Sequence, residues 1–240
     1  MSETQTNVSA ERLNPRSERM LHITQMSFAR MQLEPGQRVL DVGCGAGADT
    51  LAMAHAVGAG GVVHGVDYDA AMIAQAWRRS RTEDVAAWVT YHHANATALP
   101  WQDNYFNATR SDRVFQHMLD PALAFAELLR VTRPGGRVVV ISGDWATLSV
   151  DSHELDIESR RAHFVATLAA DNPISGCCLR SLFAQRGMLD IQVDVHPAFS
   201  AATESSGCWR QSIAPNAAAS GLFASANVVV ICGRKPPLAA

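Results

Sequence analysis

No stretch of this 240-residue chain approaches the roughly 20 consecutive apolar residues that a membrane-crossing helix needs. Its strongest apolar runs, Val138–Ile141 and Val228–Cys232, are short, β-branched and strand-like. The chain also lacks an excess of either charge. Twenty Lys and Arg against 23 Asp and Glu give a net −3, which excludes the basic surface of a broad, non-specific nucleic-acid binder. The polar start, MSETQTNVSAERLNPRSER, lacks the apolar centre of a secretory signal, so a cytoplasmic protein with no membrane partner is expected. The five cysteines (Cys44, Cys177, Cys178, Cys208, Cys232) are odd in number, scattered and without CxxC spacing. They suit reduced thiols rather than a disulfide framework or a metal site. Internal repeats are absent too. What is present is material for a core: 48% of residues are hydrophobic and 18% charged, which excludes disorder as the global state.

The order of elements is legible from changes of hydrophobic period. Residues 1–14 read as a disordered tail, and 15–240 as a single domain. From Pro15 to Met31, Met20, Leu21, Ile23, Thr24, Met26 and Phe28 give a helix with one apolar face, stopped by Glu34-Pro35-Gly36. Short strands are predicted at 38–42, 62–67, 88–92, 108–111 and 137–142, alternating with helices at 49–57, 69–81 and 121–131. The stretch 132–136 (TRPGG) reads as a turn. Such alternation implies a parallel sheet covered on both faces. Further on, the pattern predicts helices at 151–170 and 175–186 and strands at 191–195 and 227–232. The core is placed at about 33–143 and 173–235, with lid elements at about 15–32, 147–171 and 199–226.

VLDVGCGAG at 39–47 carries the most chemistry. A strand runs into glycines and a helix begins at once, so the chain turns sharply and a ligand can approach bare backbone. Helix-start amides favour anionic groups. Glycines at 43, 45 and 47 give G-x-G-x-G, whereas the dinucleotide fingerprint is G-x-G-x-x-G. Asp41 lies inside the strand end, two residues before the first glycine, where it can accept from a cationic ligand or from loop amides. Asp67 ends the next strand, 67 − 41 = 26 residues on, where a carboxylate takes ribose hydroxyls; its competing role is to cap the helix starting near Asp69.

These segments, together with GVVHGVDYDAAMIAQA, NATALPWQDNYFNAT and RVTRPGGRVVVI, resemble class I S-adenosylmethionine-dependent methyltransferases, in particular the small-molecule group that includes the ubiquinone and menaquinone C-methyltransferases. The resemblance is strong over residues 33–143 and weak in the C-terminal strands. It implies a Rossmann-like seven-stranded, mostly parallel sheet with an antiparallel last strand and helices on both faces, plus an N-terminal helix and a lid insertion. It also implies S-adenosyl-L-methionine as donor and a small-molecule acceptor. Carried over by position, Asp41, Gly43, Cys44, Gly45 and Gly47 form the loop beside the methionine part of the donor. Asp67 takes the ribose, Tyr68 packs on the adenine, and Asn95-Ala96 stands where the family has Asp-Ala near the adenine amine. Ser111 and Asp112 close the fourth strand, where backbone meets the methionine moiety. Asn107 replaces an Asp that the family commonly has there.

Methyl transfer needs chiefly a nucleophile held near the methyl group, and a base only where the nucleophile loses a proton. Candidates follow the fourth strand in SDRVFQHMLDP. If that segment is helical, Arg113 and His117 share a face. His117 is a candidate general base or a packing or capping histidine. Arg113 is a fork for a substrate carboxylate or phosphate or an ordinary surface or cofactor-side arginine. Asp144 and Trp145, after the fifth strand, are candidate pocket walls, or a turn acid and a lid plug. His92-His93 ends a strand, with no third metal ligand in view. O-, N- and C-methylation stay open, as does the oligomeric state, a homodimer included. A nicotinamide-dependent oxidoreductase is the main alternative; the glycine spacing, Asp41 and the lack of a Tyr-x-x-x-Lys pair speak against it. A non-transferase that binds S-adenosylmethionine would present the same cofactor site.

Overall fold

The computed structural model describes residues 15–118, 120–151, 176–201 and 223–237. Helix α1 (Pro15–Met31) is followed by strand β1 (Arg38–Val42) and, through the glycine turn, by α2 (Ala48–Val57). Strand β2 (Val62–Asp67) leads to α3 (Ala70–Ser80), and a 3-10 turn at Ala86–Trp88 leads to β3 (Val89–His93). A loop without regular structure crosses from β3 to β4 (Phe106–Asp112). Then come α4 (Pro121–Val131), β5 (Thr132–Asp151), α5 (Gly176–Gln185), β6 (Leu189–Ala201) and β7 (Phe223–Arg234).

Local chemistry sets several of these boundaries. Asp120 caps α4 by accepting from the Leu123 N–H at 3.0 Å, with Pro121 at the first helical position. Asp69 caps α3, accepting from Ala71 N at 2.7 Å.

The seven strands form one sheet in the order β3-β2-β1-β4-β5-β7-β6. Strands β1 to β5 pair in parallel, and β7 is antiparallel to both of its neighbours. This is the mostly parallel, seven-stranded architecture that the resemblance implies. Parallel strands buried on two faces need apolar residues on both, and the core divides accordingly. One cluster joins Val39, Val63, Ala108, Val139 and Val230 to Ile23 and Met31 of α1 and to Leu51 and Met53 of α2. The other joins Leu40, Val138, Val140 and Ile231 to Phe125 and Leu128 of α4 and to Leu179 and Phe183 of α5.

Two expectations change. The stretch 132–136 is not a free turn before the fifth strand. Thr132 already pairs with Phe106, and an irregularity follows before Ala108 pairs with Arg137. Gly135 and Gly136 are tied to Lys235 by backbone hydrogen bonds of 2.9 Å. Strand β5 also runs past Ser142 to Asp151, because β7 pairs with it as far as Phe223. The helix predicted at 151–170 lies outside the described residues except for Asp151, which ends β5. The proposed lid segments at 152–171 and 202–222 lie outside them as well, while 147–151, 199–201 and 223–226 are strand.

Candidate cofactor and active site

Chain order reverses at β1: β2 lies on one side and β4 on the other. Ligands of open α/β sheets bind at the carboxyl ends of the strands at such a point. Here a cavity of about 800 Å³ opens. The ends of β1 and β2 contribute Val42, Gly43, Val66, Asp67 and Tyr68 to its wall. The loop after β3 contributes Ala94, Asn95, Ala96 and Thr97. The segment after β4 contributes Asp112, Arg113, Val114, His117, Met118, Asp120 and Leu123. Three acids against one arginine make the lining suit a cationic group, and the Val, Met and Leu side chains give it apolar walls.

The glycine turn is held largely by hydrogen bonds to the end of β2. The N–H groups of Gly43 and Cys44 both donate to Val66 O, at 2.7 and 3.0 Å, and that of Gly47 donates to Cys44 O at 3.0 Å. Gly45 N–H donates to Asp67 Oδ2 at 2.9 Å. These amides are therefore engaged by the end of β2 and by the turn itself rather than held out for an anion, and the contribution of the glycines is room. Gly45, at φ 52°, has nothing within 4 Å of the place a Cβ would take. Gly43, at φ 75°, is different: a Cβ there would collide with Val114 Cγ2. Gly47, at φ 79°, is covered by the Tyr91 ring. Helix α2 starts at Gly47 without a side-chain cap, which leaves its first turn able to receive a carboxylate.

Asp67 ends β2 at the cavity wall and does not cap α3, whose cap is Asp69. Asp67 Oδ1 accepts from Asp69 N at 2.9 Å while its Oδ2 fixes Gly45. Each oxygen keeps a second lone pair, and the side chain reaches the cavity. Tyr68 is 77% exposed at the cavity edge, with its carbonyl bound by His93 Nε2 at 2.8 Å. Asn95 Oδ1 accepts from Thr97 N at 3.0 Å, which shapes the Ala94–Thr97 wall.

Asp41 lies beneath the turn, 1% exposed. It accepts from Thr50 Oγ1 at 2.8 Å and from Arg110 Nη1 at 3.3 Å. Burial pushes its carboxyl up to about 6 against the pull of Arg110, with Asp49 and Asp112 adding to the rise. Cys44 is buried beside it. Burial, then Asp41 and Asp67, push its thiol well above the ordinary range, so it is a packing residue and not a nucleophile. Ser111 Oγ is buried and lacks a hydrogen-bond partner among the described residues.

Arg113 and His117 do meet at the cavity, but not on a helix. Arg113 takes a left-handed conformation, φ 56°, directly after β4, and only Phe115–His117 forms a 3-10 turn. A residue in that region cannot continue a right-handed helix, so the shared helix face is replaced by a kink. The Arg113 side chain is 56% exposed and its Nε binds Asp112 Oδ1 at 3.1 Å. His117 Nε2 lies 3.0 Å from the Gln116 amide nitrogen. Asp144 is buried, 5% exposed, where a Cβ on Gly176 would reach it, and is not part of the cavity wall. The Trp145 side chain lies outside the described residues. Sequence reasoning passed over Arg110, although a lone arginine inside FNATRSD, a strand due to be buried, was the available signal. It also passed over Val114, Met118 and Leu123 as walls. No group of three or more potential metal ligands occurs among the described residues.

A doubly wound sheet of this strand order, with a glycine turn after β1 and an acid ending β2, is a Rossmann-like α/β architecture. Residues 40–140 match the family model described as a methyltransferase domain. The chain is 38% identical, over 65% of its length and 45% of the relative's, to an uncharacterised 37.1 kDa protein of transposon Tn4556 from Streptomyces fradiae. It is 34% identical to the demethylmenaquinone methyltransferase of Geobacillus sp. (strain WCH70), over 51% of its own length and 52% of that enzyme's. The chain thus spans about half the length of the curated relatives it matches. Among solved structures, the YcgJ protein of Bacillus subtilis superposes with a TM-score of 0.67 at 18% identity, over 90% of this chain and 98% of the other. That likeness concerns the fold. No described helix is long and apolar enough to cross a membrane.

Proposed function

We propose that the protein transfers a methyl group from S-adenosylmethionine to a small-molecule acceptor at the crevice between β1 and β4. One observation carries this reading. The space on the Cβ side of Gly45 is open, while the amide of the same residue is fixed by the acid that ends β2. A sulfonium donor fits this crevice by charge and by shape, since Asp67, Asp112 and Asp120 line it together with apolar walls. When bound, the donor supplies an electrophilic methyl group.

The chain's own residues do the rest. Asp67 offers its free lone pairs to vicinal hydroxyls, Tyr68 and Ala94–Thr97 flank a planar base, and the uncapped start of α2 receives a carboxylate. Val114, Met118 and Leu123 exclude water around the acceptor. Holding the nucleophile in line supplies the rate. Where the nucleophile carries a proton, His117 stands at the wall to accept it. The match to demethylmenaquinone methyltransferases favours an apolar, quinone-like acceptor, which these side chains also suit.

The test is incubation with methyl-labelled S-adenosylmethionine and a metabolite extract. Label should pass to a small molecule, and Asp67→Ala should weaken donor binding by about 1–3 kcal/mol for the lost charge-assisted bonds. Label that never leaves the donor, or tight binding of NADH in its place, would overturn the reading.

A further inference from the structure

Four elements meet at one buried side chain. Arg110 of β4 is 1% exposed. Its Nε donates to Ser27 Oγ of α1 at 3.0 Å and its Nη1 to Asp41 Oδ1 of β1 at 3.3 Å. Its Nη2 lies 2.9 Å from Asp49 Oδ2, in the first turn of α2, and 3.0 Å from Asp112 Oδ2, at the end of β4. The Phe28 ring of α1 covers the guanidinium, 5.2 Å from Cζ. Ser27 completes the network by donating to Thr24 O at 2.6 Å. The register makes this possible: Asp41 and Arg110 are paired across β1 and β4, so their side chains stand on the same face.

A structural ion pair would match charges one to one. Here three carboxylates, the side chains of Asp41 and Asp112 buried and that of Asp49 a third exposed, share one guanidinium, and Arg113, from outside, is the one other cation paired with them among the described residues. A surplus of acid inside a fold is costly. This surplus borders the cavity, where Asp112 lines the wall and Asp41 supports the turn.

We propose that Arg110 is a positioning residue of the donor site. It gathers Asp41 and Asp49 behind Asp112, the acid of the three that lines the cavity, and, through Ser27 and Phe28, fastens α1 to that cluster, so that α1 packing and donor affinity rise and fall together. The inference rests on the reading of the crevice as a sulfonium site. Burial works against the guanidinium's charge, but the carboxylates outweigh it and hold Arg110 protonated. For Asp41, burial raises the carboxyl, and Arg110, with the Thr50 hydroxyl, works against that rise. The other groups acting on Asp41 are Asp49 and Asp112, and the nearby Cys44 and Tyr91 both register its charge.

The full chain should be titrated with S-adenosylmethionine and S-adenosylhomocysteine by calorimetry across about pH 5.5 to 8.5, with amide exchange followed in residues 15–31. Wild-type affinity should increase as pH rises through the Asp41 transition near 6. In Arg110→Met the affinity at neutral pH should fall roughly tenfold or more, the pH midpoint should move upward, and α1 exchange should accelerate. Arg110→Lys should restore part of all three. Ser27→Ala keeps every charge, so it should speed α1 exchange and lower affinity a few-fold. A loss of affinity that is even at every pH would overturn the proposal, because that is what mere loosening of the fold produces, and so would α1 exchange left unchanged in Arg110→Met. Should Arg110→Met fail to fold, Ser27→Ala decides: faster α1 exchange with wild-type affinity sinks the coupling. Wild-type protein that binds neither ligand removes the donor reading and this inference together, an outcome distinct from a binding wild type whose variants behave alike.

Discussion

At the scale of single residues the glycine turn makes the sharpest prediction, because its glycines serve different ends. Gly45 faces open space, so Gly45→Val should leave the protein folded, at a cost of about 1–3 kcal/mol for holding φ 52°. Donor binding should be lost, as calorimetry beside thermal unfolding would show; unchanged affinity would place the ligand elsewhere. Gly43→Ala, by contrast, meets Val114 and should cost stability first. The turn was readable because its spacing is local: five residues state both the bend and the bare backbone. Asp67 was readable because strand-end position alone implies its reach. Arg110 was not, because its partners Ser27, Asp41 and Asp49 lie 83, 69 and 61 residues away, and only the parallel register brings them together. Likewise the sequence offers no sign that Arg113 adopts a left-handed backbone, since nothing there is glycine or asparagine.

At the scale of elements, the loop between β3 and β4 takes the place a helix would occupy, and its inner side is aromatic. Trp101, Tyr105 and Phe106 surround His64 with ring centroids 5.5, 5.9 and 5.5 Å away. Thr90 Oγ1 lies 2.6 Å from His64 Nδ1, and His92 Nε2 lies 3.3 Å from it. Burial, then His92, then Arg38 lower the His64 ring to about 4, and burial lowers His92 as well. Both are neutral in the fold. The stability His64 contributes is complete above the unfolded value near 6.5 and is lost as pH falls through about 4. Thermal midpoints should therefore hold level above about pH 7 and decline toward pH 4, and His64→Gln should flatten that decline; an unaltered slope would assign it to other groups. From the opposite side Arg130 of α4 holds the loop through Leu99 O at 3.0 Å and Trp101 O at 2.7 Å, which keeps Ala94–Thr97 at the cavity wall. Helix α4 was legible to its last residue because proline, an aspartate cap and apolar spacing agree. The far end of β5 was not, because its length is set by β7, about 80 residues later in the chain.

For the whole molecule, the five parallel strands of the seven carry the crevice, and the antiparallel pair β7 and β6 closes the other edge. Because the crevice joins the ends of β1, β2 and β4, a ligand there binds only the folded chain. At a hundred times its dissociation constant it should add about 2.7 kcal/mol, or roughly 5–10 °C for a chain of this size. S-adenosylhomocysteine should produce that shift in thermal unfolding and NADH should not; the reverse order would favour the oxidoreductase.

The guanidinium beneath the turn also limits how such a chain can diverge. Arg110 replaced alone leaves buried acids without their cation, so a descendant tolerates the loss of the arginine only after shedding acids. Lineages that lack the arginine should therefore lack Asp41 or Asp112 as well.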